Sequence, residues 1–382
     1  MTGKNYIGNQ LAATGTKIYK TFNPELNQEN ETVFVEATSK EIEEAVNLAA
    51  SAFKEFRTIS GIKKAEFLNA IADEILALDD LLIQTFCSES GLPEGRAKGE
   101  RGRTIGQLRS FANLVAEGSW VEATIDEAQP NREPMPKSDI RKMLIPLGPV
   151  VVFGASNFPL AYSTAGGDTA AALASGCPVL VKSHPMHAGT GELVASAIVK
   201  AAKKTGMPNG VFSNLNSSGI EVGQQLVSHP KVKVVGFTGS IKGGRALLDL
   251  AAKRAEPIPV FAEMGSINPV VILPKALENR CQEIAKTYAG SITLGSGQFC
   301  TNPGLLLGIK SESLSNFIAE VSQEIIKINP SCMLHPNIKK GYTINKEKIV
   351  SQDKVSVTAN YTSSIKNNYA EQAIVTVDGK TF

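Results

Sequence analysis

The residue best suited to covalent chemistry in this sequence is Cys300, which lies in the polar segment GQFCTNPG at positions 297–304. Glycines at both ends predict a turn between a helical segment and a strand. Backbone N–H groups around a cysteine in such a turn can stabilise a thiolate and then an oxyanion, a pattern typical of a nucleophile. Plain connections have the same composition, so an incidental or buried cysteine is the alternative.

A carboxylate upstream, Glu263, is the second candidate, since it follows an apolar segment at 257–262 and precedes Gly265. Its apolar neighbours predict that the carboxylate loses hydration, and desolvation raises the pKa of a carboxyl group. Such a glutamate can act as a general base that activates water. A structural ion pair is the other role open to it.

Composition and charge limit the classes of protein to consider. The chain has 382 residues, 42% of them hydrophobic, and 39 Lys and Arg stand against 37 Asp and Glu. This size predicts more than one domain, and the balanced charge gives no reason to expect a nucleic-acid or membrane partner. No apolar signal segment opens the chain, and its five cysteines show no paired spacing. We therefore expect a cytoplasmic protein in a reducing compartment.

The first third of the sequence predicts helices. A capping box at 38–41 (TSKE) opens an amphipathic helix, and further helical patterns cover 62–78, 81–87 and a long segment that ends near 117. A proline-rich polar stretch then leads into a short strand-like run at 141–145. We interpret residues 129–146 as a projecting arm or oligomerisation strand.

From position 149 onward, short apolar runs alternate with helical segments. The runs at 150–153, 178–182, 211–212, 232–237 and 259–261 predict strands of a doubly wound, mostly parallel α/β sheet of the Rossmann type. A further α/β block contains Cys300, and 330–382 is polar and weakly patterned except for a strand-like run at 373–377. We predict a cofactor-binding domain over 1–128 and 147–265 and a catalytic domain over 266–382.

Ligands of such sheets bind beyond the carboxyl ends of the strands, and three polar segments fall there. Asn157 follows the first strand, where its amide could point at an oxyanion or merely cap a turn. Lys182 ends the second strand and is either a ribose or phosphate contact or a solvated charge. Ser240, after Gly239, begins a helix whose N–H groups favour a phosphate, and the alternative is a plain helix N-cap.

At this point the chain resembles the aldehyde dehydrogenase superfamily and, within it, the 2,5-dioxovalerate (alpha-ketoglutaric semialdehyde) dehydrogenases. The similar strings are GERGRT at 99–104, QLR at 107–109, NFP at 157–159, AGGDT at 165–169, 257–269 and 298–304. The resemblance implies an aldehyde-dehydrogenase-like fold and oxidation of 2,5-dioxopentanoate to 2-oxoglutarate, a small-molecule substrate.

The resemblance also assigns roles to the catalytic candidates. Cys300 matches the nucleophile that attacks the aldehyde to form a thiohemiacetal, and hydride transfer to a nicotinamide leaves a thioester. Glu263 matches the base that activates water for its hydrolysis. The Asn157 amide and the Cys300 N–H match the oxyanion hole. These roles require the Cys300 thiol and the Glu263 carboxyl to face one cleft beside a bound dinucleotide.

For the cofactor, Lys182 matches the ribose lysine, and Gly239 with Ser240 matches the pyrophosphate turn. NAD-preferring relatives carry an acid shortly after the lysine, which would repel a 2′-phosphate, whereas this chain continues with Ser183 and His184. We therefore predict NADP as the preferred cofactor, with NAD possible. The predicted cofactor contacts are Ser156, Lys182, Ser183, His184, Phe237, Gly239, Ser240 and Gly244.

Substrate contacts are predicted at Phe158, Arg109 and Gln298. Arg103 and Arg109 could bind the far carboxylate of a five-carbon oxo-acid aldehyde, or they could be solvated charges of a helix face. The spacing of Cys177, His184 and His187 fits no zinc pattern, so no metal site is expected.

Relatives of this family continue beyond position 382 with a segment that holds the nicotinamide ribose and a strand that joins subunits. The resemblance thus implies a C-terminally truncated chain, for which the family's homo-oligomer is in doubt. The alternative function is a catalytically impaired fragment that still binds nucleotide. A cysteine hydrolase would need a histidine base, and none is tied to Cys300 by sequence. A CoA-acylating enzyme would have little need of Glu263.

Overall fold

The computed structural model describes residues 1–363 and 365–382, and the chain divides into two compact units. Unit 1 consists of Met1–Thr21, Glu31–Phe86 and Glu94–Met264. Unit 2 consists of Phe22–Asn30, Cys87–Pro93 and Gly265–Phe382. A cofactor-binding domain over 1–128 and 147–265 and a catalytic domain over 266–382 stay predictions.

Fifteen strands and eleven α-helices are found in the described residues. The strands are β1 (Asn5–Ile7), β2 (Gln10–Ala12), β3 (Ile18–Asn23), β4 (Gln28–Val35), β5 (Thr124–Asp126), β6 (Ile140–Lys142), β7 (Val150–Phe153), β8 (Val179–Lys182), β9 (Phe212–Leu215), β10 (Val234–Gly239), β11 (Val260–Met264), β12 (Pro269–Ile272), β13 (Leu305–Gly308), β14 (Ser356–Asn360) and β15 (Ala373–Thr376). The helices are α1 (Ser39–Phe56), α2 (Gly61–Leu76), α3 (Asp79–Ser90), α4 (Glu94–Glu117), α5 (Gly167–Ser175), α6 (Ala188–Lys204), α7 (Glu221–Ser228), α8 (Ile241–Ala252), α9 (Pro274–Thr293), α10 (Glu312–Lys327) and α11 (Pro336–Val350).

A seven-stranded sheet with the order β11-β10-β7-β8-β9-β1-β2 forms the centre of unit 1. The first five strands in this order are parallel, and β1 runs antiparallel to both β9 and β2. The strand order reverses at β7, whose neighbours are β8 and β10, as in doubly wound folds. The predicted fold class is therefore confirmed.

Helices cover both faces of this sheet. On one face α5 and α6 pack on the strands, with α2 and α4 packed against them, and on the other face lie α1, α7 and α8. The second face closes an apolar core that includes Val151, Leu180 and Val235 from three neighbouring strands. Nearly continuous apolar strands are what burial on both faces of a parallel sheet requires.

Local signals account for where several helices begin. The predicted capping box is present at α1, where the Thr38 side chain accepts a hydrogen bond from the Glu41 N–H and the Glu41 carboxylate accepts one from the Thr38 N–H. Helix α5 begins at Gly167, because residues 163–166 form a turn in which the Gly166 N–H donates to the Ser163 carbonyl at 2.8 Å.

Strands β5 and β6 flank the proline-rich stretch and pair antiparallel with each other. Both strands are exposed along their whole length. Ile125, Ile140 and Ile145 are among the exposed apolar residues of this region. An arm at 129–146 with a role in oligomerisation stays a prediction.

Unit 2 has its own apolar core, which includes Leu277 and Ala285 of α9 and Phe317 and Val321 of α10. β12 and β13 are parallel, and β14 and β15 are antiparallel. The sequence did not predict α11, and the reason is physical: this helix buries none of its residues, so it carries no apolar stripe. Within the described part of the chain, no helix is both long and apolar enough to cross a lipid bilayer.

Candidate active site

The candidate residues of unit 1 lie along the carboxyl edge of the parallel sheet. Strand register aligns Ala262, Phe237, Phe153, Lys182 and Leu215 in one row across β11, β10, β7, β8 and β9. The loops that leave the strands just beyond this row therefore begin side by side. These loops and the ends of the strands carry the predicted cofactor and catalytic residues of this unit, at the edge where doubly wound folds bind ligands.

The loop after β7 carries Ser156 and Asn157. The Ala155 N–H donates to the Tyr162 carbonyl at 2.8 Å, which folds the loop back on itself. A second contact comes from α4, where the Arg96 guanidinium donates to the Asn157 carbonyl at 3.4 Å. Asn157 is half-buried in this loop, which follows the strand that lies between β8 and β10.

Phe158 is buried, and two arginines of α4 contact its ring. The guanidinium carbon of Arg96 lies 4.4 Å from the ring centroid and that of Arg103 lies 5.8 Å from it. Arg103 also donates to the Tyr162 hydroxyl at 2.5 Å. Arg109 instead pairs with Asp73 of α2 at 3.2 Å. The structure thus places Arg103, and not Arg109, beside the Asn157 loop.

Glu100 anchors the same loop, and the sequence signalled it only as part of a family string. Its carboxylate accepts hydrogen bonds from the Leu160 N–H at 2.8 Å and the Ala161 N–H at 3.0 Å, and from the Arg96 guanidinium at 3.2 Å. Glu100 is 3% exposed, and this burial raises its pKa despite the lowering effect of the hydrogen bonds. The contacts with Leu160 and Ala161 join positions 60 and 61 residues apart, so no local pattern marks them.

Replacement of Glu100 is expected to destabilise unit 1. Glu100→Ala removes the acceptor of two buried N–H groups and the ion-pair partner of Arg96, which costs roughly 3 kcal/mol of unfolding free energy. Glu100→Gln keeps one acceptor oxygen and should cost less. The measurement is the urea midpoint of each purified variant. Glu94→Ala, an exposed glutamate of the same helix, is the matched control and should leave the midpoint nearly unchanged. Equal midpoints for Glu100→Ala and the control would contradict the anchoring role.

Lys182 ends β8 with a largely enclosed ammonium group. Its Nζ donates to the Ser217 carbonyl at 3.3 Å in the loop after β9. Burial lowers the pKa of Lys182 to about 8, against a smaller raising effect of the Glu36 carboxylate. Glu36 is itself held by the Ser218 N–H at 2.9 Å and by Lys17 at 2.9 Å. A cation near its titration point therefore lies at the sheet edge.

Ser183 and His184 continue this loop. The Ser183 N–H donates to the Leu215 carbonyl, whereas its buried hydroxyl has no hydrogen-bond partner among the described residues. His184 uses its Nδ1 to accept from the Met186 N–H at 3.3 Å, so it caps the short 3₁₀ turn that follows. Ser183 is 1% exposed, so its orphaned hydroxyl lies inside the protein, where only a buried water molecule could satisfy it.

Phe237 and Gly239 lie in β10, Ser240 links β10 to α8, and Gly244 lies in the first turn of α8. The Ser240 hydroxyl accepts from the Gly243 N–H at 3.1 Å and so caps α8, while its contact with a pyrophosphate stays a prediction. A Cβ on Gly244 would lie 2.2 Å from the Met264 sulfur. Helix α8 packs so closely on β11 at this position that only glycine fits. Gly239 and Ser240 are exposed at a helix N-terminus, a position that suits a phosphate.

Glu263 lies within β11, whereas the sequence placed it after the strand. Alternate residues of this edge strand face opposite sides, and Glu263 shares the exposed side with Phe261, which is 67% exposed. The predicted loss of hydration is therefore wrong, because the apolar neighbours Ala262 and Met264 point to the other side. Glu263 pairs in register with Thr238 of β10 and so lies at the same carboxyl edge as the other unit 1 candidates.

In unit 2 the Cys300 side chain is exposed on a turn between α9 and β13. Two polar side chains hold the turn: Asn268 donates to the Cys300 carbonyl at 2.8 Å and to the Asn302 carbonyl at 3.0 Å, and the Ser266 hydroxyl also donates to the Cys300 carbonyl. Gly297 adopts a φ of 69°, which favours glycine at the boundary that the sequence marked. The thiol is thus presented by a backbone fixed at several points.

Gln298 has a structural role in this turn. Its Nε2 donates to the Gly295 carbonyl at 3.0 Å, and its Oε1 accepts from the Leu334 N–H at 3.0 Å. Asn268 was missed as a positioning residue, because its partners lie more than 30 positions away and only its place after the Glu263 strand could have indicated it.

Comparison with known proteins bears on this arrangement. The aldehyde dehydrogenase family matches the chain over residues 11–371. The chain is 50% identical over 350 residues to Alpha-ketoglutaric semialdehyde dehydrogenase 2 of Azospirillum brasilense, covering 91% of this chain and 67% of that protein. It is 44% identical over 340 residues to the Alpha-ketoglutaric semialdehyde dehydrogenase of Acinetobacter baylyi, covering 89% of this chain and 64% of that protein. The chain thus spans about two thirds of the length of these curated relatives.

Solved structures show the same fold at low identity. Methylmalonate-semialdehyde dehydrogenase from Oceanimonas doudoroffii superposes with a TM-score of 0.83 at 17% identity, covering 98% of this chain and 75% of that one. A benzaldehyde dehydrogenase from Corynebacterium glutamicum, described as NAD-dependent, gives a TM-score of 0.82 at 19% identity, covering 98% and 80%.

Proposed function

The chain belongs to the aldehyde dehydrogenase family, and from this premise we propose that it oxidises a small semialdehyde with NAD(P). The proposed substrate is 2,5-dioxopentanoate, converted to 2-oxoglutarate, because both curated relatives are named for alpha-ketoglutaric semialdehyde. The observation that carries the proposal is the single row of strand ends that brings Asn157, Lys182, Ser240 and Glu263 to one edge of the sheet.

Cys300 is the proposed nucleophile. Its exposed thiol can attack an aldehyde carbon to form a thiohemiacetal, and the turn that presents it is held by Asn268 and Ser266. Donors aimed at the developing oxyanion would stabilise this step, and the proposed donors are the Asn157 amide and the Cys300 N–H. Loss of hydride from the thiohemiacetal leaves a thioester on Cys300.

Glu263 is the proposed general base for the second half of the reaction. Removal of a proton from water by its carboxylate produces the nucleophile that cleaves the thioester, releasing the acid and regenerating the thiol. Its exposed position on β11 leaves the carboxylate accessible to water. This role distinguishes hydrolysis from acyl transfer to CoA, which needs no activated water.

The unit 1 residues fit a nicotinamide dinucleotide. When bound, the cofactor would accept the hydride. Gly239 and Ser240 at the start of α8 would hold its pyrophosphate, and Lys182 would hold the adenosine ribose. The loop after Lys182 carries no acid, so we propose NADP in preference to NAD.

The proposed function is tested with the purified chain. Reduced cofactor formation is followed by absorbance with 2,5-dioxopentanoate and with succinic semialdehyde, each in the presence of NADP or of NAD. Turnover with a higher kcat/KM for NADP is the expected result. A higher kcat/KM for NAD would overturn the cofactor preference. Cofactor binding without turnover would instead support the alternative of a nucleotide-binding chain.

The titration of Lys182 predicts how NADP binding depends on pH. Because its pKa lies at about 8, the ammonium loses its charge as pH rises through that value, and the attraction to a 2′-phosphate is lost. The NADP dissociation constant, measured by calorimetry, should therefore rise about tenfold between roughly pH 7 and pH 9.5.

Two variants distinguish the titration of Lys182 from other effects of high pH on NADP binding. Lys182→Arg keeps its charge over this range and should flatten the profile. Lys200→Arg, at an exposed lysine that pairs with Glu74, is the matched control and should keep the wild-type profile. A flat wild-type profile would contradict the placement of Lys182 beside the phosphate.

A further inference from the structure

His187 is a buried imidazole that the proposed reaction does not use. It is 1% exposed and lies in the short turn Pro185–His187, five residues after Lys182 along the chain. Its Nε2 lies 2.8 Å from the Ala155 carbonyl, in the loop after β7. One side chain therefore joins the loop that carries Lys182 to the loop that carries Asn157.

The chemistry of this contact fixes the tautomer. A carbonyl oxygen only accepts hydrogen bonds, so the His187 proton must lie on Nε2, which donates to Ala155. Burial lowers the pKa of His187 to about 4, so the ring is neutral near pH 7. Nδ1 has no hydrogen-bond partner in the described part of the chain. Among the described residues, the ring's only hydrogen bond is thus the one to the Ala155 carbonyl.

The surroundings hold the ring in a single orientation. The His184 ring stacks on it with centroids 4.9 Å apart and an interplanar angle of 17°. The His187 N–H donates to the His184 carbonyl at 3.2 Å, which closes the turn. β7 and β8 pair in register up to Phe153 and Lys182, so both loops start at the same level of the sheet edge. The imidazole bridges them just beyond the last ladder bonds.

Both the N–H and the carbonyl group of Ala155 make hydrogen bonds. Its N–H donates to the Tyr162 carbonyl at 2.8 Å, and its own carbonyl accepts from His187 at 2.8 Å. Asn157 is two residues further on. A shift of the Ala155 peptide would therefore move the amide proposed to stabilise the oxyanion.

We propose that His187 is a positioning residue that fixes the Asn157 loop relative to the Lys182 loop through its Nε2–H bond to Ala155. The effect of His187 on catalysis rests on the proposed function. Its effect on the position of the loop depends on the fold alone. Removal of the donor leaves the buried Ala155 carbonyl unpaired, and local opening of the loop should increase about 10- to 100-fold.

Amide hydrogen exchange of the whole chain, followed by mass spectrometry, tests the loop directly and needs no activity. In His187→Leu, exchange should rise about 10- to 100-fold in peptides covering 154–162 and stay unchanged in peptides covering β9. His187→Gln can place an amide donor near the position of Nε2 and should restore most of the protection. His229→Gln, at a histidine that contacts Glu43 on another part of unit 1, is the matched control.

Activity supplies the second readout. If the wild-type chain turns over, His187→Leu should lower kcat by about tenfold or more at saturating cofactor, and His187→Gln should recover it in part. Unchanged exchange at 154–162 in His187→Leu, or an equal rise over the whole of unit 1, overturns the proposal. A wild-type chain without turnover counts against the proposed function alone, since the exchange result still decides the role of His187.

Discussion

Cys300→Ala is expected to lower aldehyde oxidation by about 1,000-fold or more, because the variant cannot form the thiohemiacetal from which hydride departs. The fold should be unaffected. The Cys300 side chain is exposed, and the bonds from Asn268 and Ser266 go to its backbone carbonyl, which alanine retains. NADP binding should also persist, since the proposed cofactor contacts all lie in unit 1.

The rate of aldehyde oxidation is measured as formation of reduced cofactor. Binding of NADP is measured separately by calorimetric titration. Cys281→Ala, a cysteine of α9 in the same unit, is the matched control and should keep the wild-type rate. Cys300→Ser adds a test of nucleophilicity, since a hydroxyl of similar size is a far weaker nucleophile and should restore little of the rate. Turnover by Cys300→Ala within about tenfold of wild type would show that another group attacks the aldehyde.

The sheet of unit 1 was predictable because its strands are buried on both faces. Val150–Phe153 is apolar throughout, as two-sided burial requires, and it formed β7 with the predicted bounds. The same logic failed for elements without an apolar stripe. β5 is fully exposed and α11 buries no residue, so neither pattern stood out from a polar loop. The strand-like run predicted at 141–145 overlaps β6 at Arg141 and Lys142, although β6 is exposed too.

The candidate site was predictable where topology dictates it. Strand ends of a doubly wound sheet converge, so Asn157, Lys182 and Ser240 could be placed at one edge from the order of strands alone. Glu263 illustrates the limit, since its neighbours in the sequence are apolar but point away from it on an edge strand. Burial of a side chain depends on which face it occupies, and a short apolar run does not determine that face.

Contacts between distant segments were the part that local patterns could not supply. Glu100 holds the backbone of Leu160 across 60 positions, and His187 holds Ala155 across 32. Glu100 and His187 are single polar residues in segments whose local sequence pattern predicts no more than a helix or a loop. Their importance is visible only when a buried donor or acceptor is matched with its partner.

The second large effect is expected at Glu263. Glu263→Gln should form one equivalent of reduced cofactor and then stop, because the thioester forms on Cys300 but no carboxylate remains to activate water. Steady-state turnover should fall about 100- to 1,000-fold, while the first equivalent appears at a rate close to that of wild type. The side chain is exposed, so the amide should fold as the carboxylate does.

Intact-mass analysis of the stalled enzyme provides the decisive measurement. The acyl group should be found on the chain in Glu263→Gln and should be absent from the double variant with Cys300→Ala, which places the adduct on that thiol. Glu256→Gln, at an exposed glutamate that pairs with Lys233 near the start of β11, is the matched control and should turn over without an adduct. Full steady-state turnover in Glu263→Gln would assign water activation elsewhere. A loss of the first equivalent as well would mean that Glu263 acts before the thioester, on the thiol itself.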